Sequence, residues 1–222
     1  QLGQQPPAQF IQVLEESGLI LEVGSWILDE ACDACAHMLM DGLIDANDFS
    51  LCVNISPRQF RQNDFVGRVL RSLDDYRLPR QMLKLEITEG IVIQNLEDTI
   101  SKMRELKRHG VSFAMDDFGT GYSSLSYLRS FPLDIIKIDR SLVTGIEREE
   151  EGALIARAAI SLGQSLRKRV VAEGVENQAQ FDFLRCQGCD EFQGYLISRP
   201  VTEAALSEML AGGGVIARSA HT

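Results

Sequence analysis

Histidine is scarce in this chain of 222 residues, with three in all: His37, His109 and His221. That scarcity argues against a histidine-rich metal phosphodiesterase site and against Ser-His-Asp hydrolysis. Basic residues are also in deficit, 22 Lys and Arg against 32 Asp and Glu, for a net charge of −10. So acidic a chain offers no broad surface for long nucleic acids, although bound cations can reverse the local sign at a small anion site. No apolar run reaches the roughly 18 residues that a membrane helix needs, and no basic-then-apolar leader opens the chain. The cysteines are five, an odd number, which suits a reducing, cytoplasmic compartment better than a disulfide framework. Cys32-Asp-Ala-Cys35 and Cys186-Gln-Gly-Cys189 lie far apart on helices, so they read as ordinary thiols and not as a zinc module. Two signatures are missing as well. The loop Phe118-Gly-Thr-Gly-Tyr-Ser-Ser-Leu125 lacks the Gly-Lys-Ser/Thr ending of a P-loop and is not a nucleophile elbow.

What is present is a 45% hydrophobic chain, enough to bury a large core. Six short apolar runs alternate with stretches long enough for helices. They are Leu51-Cys-Val-Asn54, Leu83-Lys-Leu-Glu86, Val111-Ser-Phe-Ala-Met-Asp116-Asp117, Ile135-Ile-Lys137-Ile-Asp139, Val170-Val-Ala-Glu173 and Glu191-Phe-Gln193. Alternation of this kind predicts an α/β fold with a parallel sheet. The fold expected is a TIM-like (β/α)8 barrel with six strands visible; either the barrel is incomplete here or the first two strands lie outside the sequence, missing from it. Helices are predicted over 23–40, 64–76, 96–109, 178–187 and 203–210, with Gly110 as a C-cap, and the last strand over 191–197. One domain is expected over residues 1–211, followed by a frayed tail at 212–222.

Each apolar run ends in a residue able to hold or attack a phosphate, and parallel barrels gather such ends at one mouth. Glu86 lies inside Leu85-Glu86-Ile87, where a strand buried on both faces rarely takes a carboxylate without a partner or a metal. Asp116 and Asp117 repel each other, which calls for a cation between them, although one could instead cap the next helix. Lys137, flanked by Ile136 and Ile138, is either an inward ammonium that meets phosphate or water, or the partner of Asp139 or another acid. Asn54 could be a turn residue. Glu173, at a strand-to-loop switch before Gly174, completes the set, while Glu89 and Glu176 could anchor loops. Oxygen-rich ligands of this kind select hard cations, Mg²⁺ or Mn²⁺, over zinc.

These residues resemble the EAL domain, a cyclic-di-GMP phosphodiesterase family with a modified TIM barrel. The matching pieces are Val53-Asn54-Ile-Ser56, Leu85-Glu86-Ile-Thr-Glu89, Asp116-Asp117-Phe-Gly-Thr-Gly-Tyr-Ser-Ser-Leu125, Ile136-Lys137-Ile-Asp139, Ala172-Glu173-Gly-Val-Glu176, Gln193-Gly194-Tyr195 and Pro200. The resemblance implies that Asn54, Glu86 and Asp116 ligate a first metal, that Asp116 bridges to a second beside Asp117, and that Glu173 lies at the metal and water as general base. It further implies that Lys137 contacts water or phosphate and that Gln193 supports that network. Asp139 and Pro200 would face the ligand. Glu89 would hold the Asp117–Leu125 loop, near which a homodimer is expected. The activity implied is metal-dependent hydrolysis of cyclic di-GMP to linear pGpG, in a protein that carries sensor or diguanylate-cyclase domains and is itself anchored to a membrane in some cases.

One departure stands out. The Glu-Ala-Leu strand, with its metal-ligating Glu, is absent from the sequence. A catalytically inactive cyclic-di-GMP receptor is therefore the alternative from another class. An enolase-like barrel, with carboxylates on Mg²⁺ and a Lys base, is a third reading that leaves the loop after Asp117 unexplained.

Overall fold

The computed structural model describes residues 7–91, 95–119, 125–147 and 150–212. Two helices come first, α1 (Pro7–Ser17) and α2 (Ile20–Met40), followed by β1 (Leu51–Ile55). The short α3 (Pro57–Phe60) and α4 (Phe65–Asp75) lead to β2 (Leu83–Thr88), and α5 (Leu96–Arg108) to β3 (Ser112–Phe118). Then come α6 (Leu125–Ser130), β4 (Ile135–Ile138), the short α7 (Arg140–Val143), α8 (Glu150–Ser165) and β5 (Arg169–Ala172). The described chain closes with α9 (Gln178–Cys186), β6 (Glu191–Phe192) and α10 (Glu203–Ala211).

Among the described residues the six strands form one sheet in sequence order, β1 to β6, every pair parallel. This is the winding of a (β/α) barrel, as expected, because each crossover helix returns the chain to the same end of the sheet. The sheet has two unlike faces. Val53, Ile55, Leu83, Leu85, Ile87, Phe113, Met115, Ile136, Ile138, Val170 and Ala172 join the large core under the helices. The alternate residues face inward, where Ala114, Ile135 and Val171 form a small separate apolar layer. Two-residue periodicity therefore places Glu86, Asp116 and Glu173 on the inner face.

Local chemistry fixes the ends of these elements. Ser56 and Gln59 form a capping box on α3, and Asn177 and Gln180 form one on α9. Such reciprocal bonds satisfy the orphan donors of a helix start. Gly110, at φ +97, follows the α5 cap as the sequence predicts. Asp134 accepts a bond from the Phe113 amide, and Asp190 accepts one from Val170, so carboxylates pin the starts of β3 and β5.

Two expectations change. β3 continues to Phe118, with a register irregularity between Met115 and Phe118. The extra residue of a bulge restores the face parity, so that Phe118 rejoins the core after two successive acids. β6 stops at Phe192 instead of 197, because Gly194 lies against the backbone of Val175: a Cβ there would sit 2.2 Å from the Val175 carbonyl oxygen. The chain then turns, with Ile197 and Ser198 donating to the Gly194 carbonyl. Apart from Gly212, the expected tail lies outside the described residues.

Candidate functional site

At the C-terminal ends of β2, β3, β4 and β5 four of the candidate side chains meet. The Lys137 ammonium lies 2.6 Å from Glu86 Oε2, 2.6 Å from Glu173 Oε1 and 3.1 Å from Asp116 Oδ1. The side chains are 5%, 8%, 18% and 14% exposed in the order Lys137, Glu86, Glu173, Asp116, so bulk water screens them little. The register explains the meeting. Asn54 is opposite Glu86, Thr88 is opposite Asp116, and Glu173 donates its backbone amide to the carbonyl of Ile138, the residue after Lys137.

One ammonium shared by three carboxylates sets the electrostatics. Burial opposes the charge on Lys137, but Glu86, with hydrogen bonds to Glu173 and Glu86 and the charge of Asp116, outweighs it and holds the ammonium above its ordinary range. Burial pushes the Glu173 carboxyl up. Its bond to Lys137 opposes that rise, while the charges of Asp116 and Glu86 add to it. A carboxylate raised in this way is a better proton acceptor near neutral pH.

A divalent cation fits this donor set. Lys137 is a single positive charge among three acids. Asp116 Oδ1 is buried and accepts no hydrogen bond, even with the ammonium 3.1 Å away. Three buried carboxylates around one ammonium leave negative charge in excess, which a bound divalent cation would answer. Among the described residues no three Asp, Glu, His or Cys side chains already stand as a metal cage; Lys137 holds the centre instead. Asn54 and Asp117 are exposed beside the cluster. Asp117 takes φ +54, a left-handed conformation that Asp tolerates better than most residues. Strain of this kind is typical beside functional sites.

A family model described as EAL domain matches residues 1–200. The chain belongs to the EAL domain family. Its EAL domain is 42% identical over 196 residues to signaling protein YkoW of Bacillus subtilis, covering 88% of this chain and 24% of YkoW. It is 39% identical over 204 residues to the cyclic di-GMP phosphodiesterase NbdA of Pseudomonas aeruginosa, covering 92% of this chain and 26% of NbdA. A solved structure described as the PaMucR phosphodiesterase, c-di-GMP complex, superposes with a TM-score of 0.87 at 37% identity, covering 93% of this chain and 82% of that one. The chain spans about a quarter of the length of the curated relatives it matches.

The remaining expected residues of the EAL domain are scattered around the cluster. Gln193 is exposed and lines a cleft of about 210 Å³ beside Glu173, together with Arg140, Gly174, Glu176, Gly194 and Tyr195. Asp139 accepts a bond from the Ser141 amide at 2.8 Å and so caps α7. Pro200 is exposed beyond β6. Glu89 opens a 3₁₀ turn, Glu89–Ile91; its side chain and residues 120–124 lie outside the described set, as does the expected dimer region there. Sequence reasoning missed Lys84 and Cys52, which are opposite each other one layer deeper on the inner face. The signal was available, since both precede an identified residue by two. Arg140, on the lining of that cleft, was missed too, and no strand pattern marks it.

Proposed function

We propose that this EAL domain binds cyclic di-GMP and hydrolyses it to linear pGpG with Mg²⁺ or Mn²⁺, two ions per site. The observation that carries the reading is the buried convergence of Glu86, Asp116 and Glu173 on the single ammonium of Lys137. The names of NbdA and MucR support the substrate. Asn54, Glu86, Asp116, Asp117 and Glu173 would hold the ions, which when bound supply Lewis-acid polarisation of the phosphoryl oxygens.

The residues of the chain do the rest. Glu173 takes the proton of the attacking water on a carboxylate oxygen. Lys137 holds Glu173 in place and turns its ammonium to the phosphate, where negative charge grows as water adds. The bond from phosphorus to the ribose 3′ oxygen breaks, and that oxygen takes a proton from solvent. Gln193, Asp139 and Pro200 bound the ligand side. The domain works as one module of a longer protein, as a homodimer through the stretch near 117–125 and with its site on the cytoplasmic side. No helix among the described residues is long and apolar enough to cross a membrane.

Incubation with cyclic di-GMP and Mn²⁺, followed by chromatography of the nucleotides, tests the reading. Linear product that disappears with EDTA and in Asp116→Asn is the expected result. A second reading is a receptor that binds without cleaving. The same assay separates the two, because a receptor retains cyclic di-GMP and releases no product.

A further inference from the structure

Three lysines are buried among the described residues, Lys84, Lys102 and Lys137, and two of them are answered. Lys102 pairs with Asp98 at 2.8 Å and donates to the Phe60 carbonyl at 3.2 Å. Lys137 has its three acids. Lys84, 8% exposed, makes no ion pair and no hydrogen bond among the described residues. The strand fixes its place. Leu83 and Leu85 are buried in the core under the helices, so the side chain between them goes to the inner face, two residues before Glu86 and roughly 7 Å from it along β2. Its neighbours in register, Cys52 on β1 and Ser112 on β3, carry no charge. Arg169 and Glu191, on β5 and β6, answer each other at 2.8 Å. The Cys52 thiol reports on both levels of the inner face: burial and Glu86 push it up to about 11, while Lys84 and Lys137 pull against them. The charge of Lys84 is therefore felt where the carboxylates stand.

We propose that Lys84 is a fixed positive charge beneath the carboxylate cluster that loosens the hold of the site on divalent cations; the inference rests on the metal-dependent reading above. An ammonium buried without an acid of its own is a burden on the fold, and its one charged surrounding here is the cluster a layer above it. Lys84 bonds to none of the cluster oxygens, so it leaves them all available to an ion. Its charge nevertheless opposes the arrival of a second cation, because the interior between them screens poorly. The site then fills over a higher range of ion concentration than Glu86, Asp116 and Glu173 would set with Lys137 alone. Lys84 acts through this field only and takes no part in the bond-breaking step.

The test is Mn²⁺ binding, read by electron paramagnetic resonance of the free ion, for wild type, Lys84→Met, Lys84→Arg and Lys102→Met, with melting in EDTA alongside. Lys84→Met keeps the length of the side chain and removes its charge. It should tighten Mn²⁺ binding about sixfold to thirtyfold, the repulsion between a unit charge and a divalent ion about 8 Å apart at an effective dielectric of about 40–80. Lys84→Arg keeps the charge and should stay within about twofold of wild type. Lys102→Met removes a buried charge that α5 carries, and should leave the affinity for Mn²⁺ unchanged. Removal of an unanswered buried charge should leave the Tm of Lys84→Met at or above that of wild type. A Tm more than about 4 °C lower would show that Lys84 has a structural partner, and overturns the inference. Unchanged Mn²⁺ affinity in Lys84→Met, or equal tightening in Lys84→Arg, overturns it as well and leaves metal-dependent hydrolysis standing. A wild-type chain that binds no Mn²⁺ overturns both.

Discussion

Replacing Lys137 by Met tests whether one ammonium holds the carboxylate cluster together. Met keeps the length of the side chain and removes the charge, so the change is electrostatic more than steric. At 2.6 Å and an effective dielectric of about 20, each close pair is worth roughly 6 kcal/mol of gross attraction. Desolvation cancels most of that in the intact cluster. Removing one partner, however, leaves charges buried without an answer, at a cost of about 3–5 kcal/mol. For a domain of this size 1 kcal/mol corresponds to about 2–4 °C in Tm. Lys137→Met in EDTA should therefore melt about 6–20 °C below wild type. Mn²⁺ should raise the melting temperature of the variant more than that of wild type, because the ion supplies the charge that was lost. Calorimetry with and without Mn²⁺ reads both numbers. A variant as stable as wild type in EDTA would refute the idea that Lys137 neutralises Glu86, Asp116 and Glu173.

Other consequences can be checked independently. Gly194→Ala drives a Cβ to 2.2 Å from the Val175 carbonyl oxygen, a clash with backbone that no rotamer relieves. It should cost about 1–3 kcal/mol by chemical denaturation and slow turnover through displacement of Gln193. Burial pushes the Cys32 and Cys189 thiols up to about 12 from an ordinary value of 9.0. Iodoacetamide at pH 8 should therefore label exposed Cys186 and spare those two, as peptide mass spectrometry would show. The same shifts set a pH dependence. A folded thiol held protonated contributes stability that is complete below pH 9, and this is lost as pH rises from 9 toward 12, because the unfolded thiols ionise first. The loss is about 1.4 kcal/mol per pH unit for each thiol, and Cys189→Ala should flatten the alkaline slope in denaturant melts.

Much of the site was readable from residue patterns because strands impose a period of two. Glu86 in Leu85-Glu86-Ile87 and Lys137 in Ile136-Lys137-Ile138 are polar residues between apolar neighbours that face the helices, so both had to point inward. The partners of Lys137 were harder to read. Asp139, two residues on, was a natural candidate, yet it caps α7, and the ion pairs come from three other strands that only the register brings near. The bulge at Asp116 and Asp117 had no local mark either, since the positive φ of Asp117 follows from the packing of Phe118 into the core. β6 was overread because Tyr195-Leu-Ile197 has strand composition, whereas the close approach of Gly194 to Val175 turns the chain away.

The most direct test of the phosphodiesterase site is hydrolysis of cyclic di-GMP in ¹⁸O-labelled water with Mn²⁺, read by mass spectrometry. The expected result is linear dinucleotide with one solvent oxygen on its terminal phosphate, formed by wild type and absent with Asp116→Asn. Ligand that stays cyclic, or product formed equally well by Asp116→Asn, would contradict it.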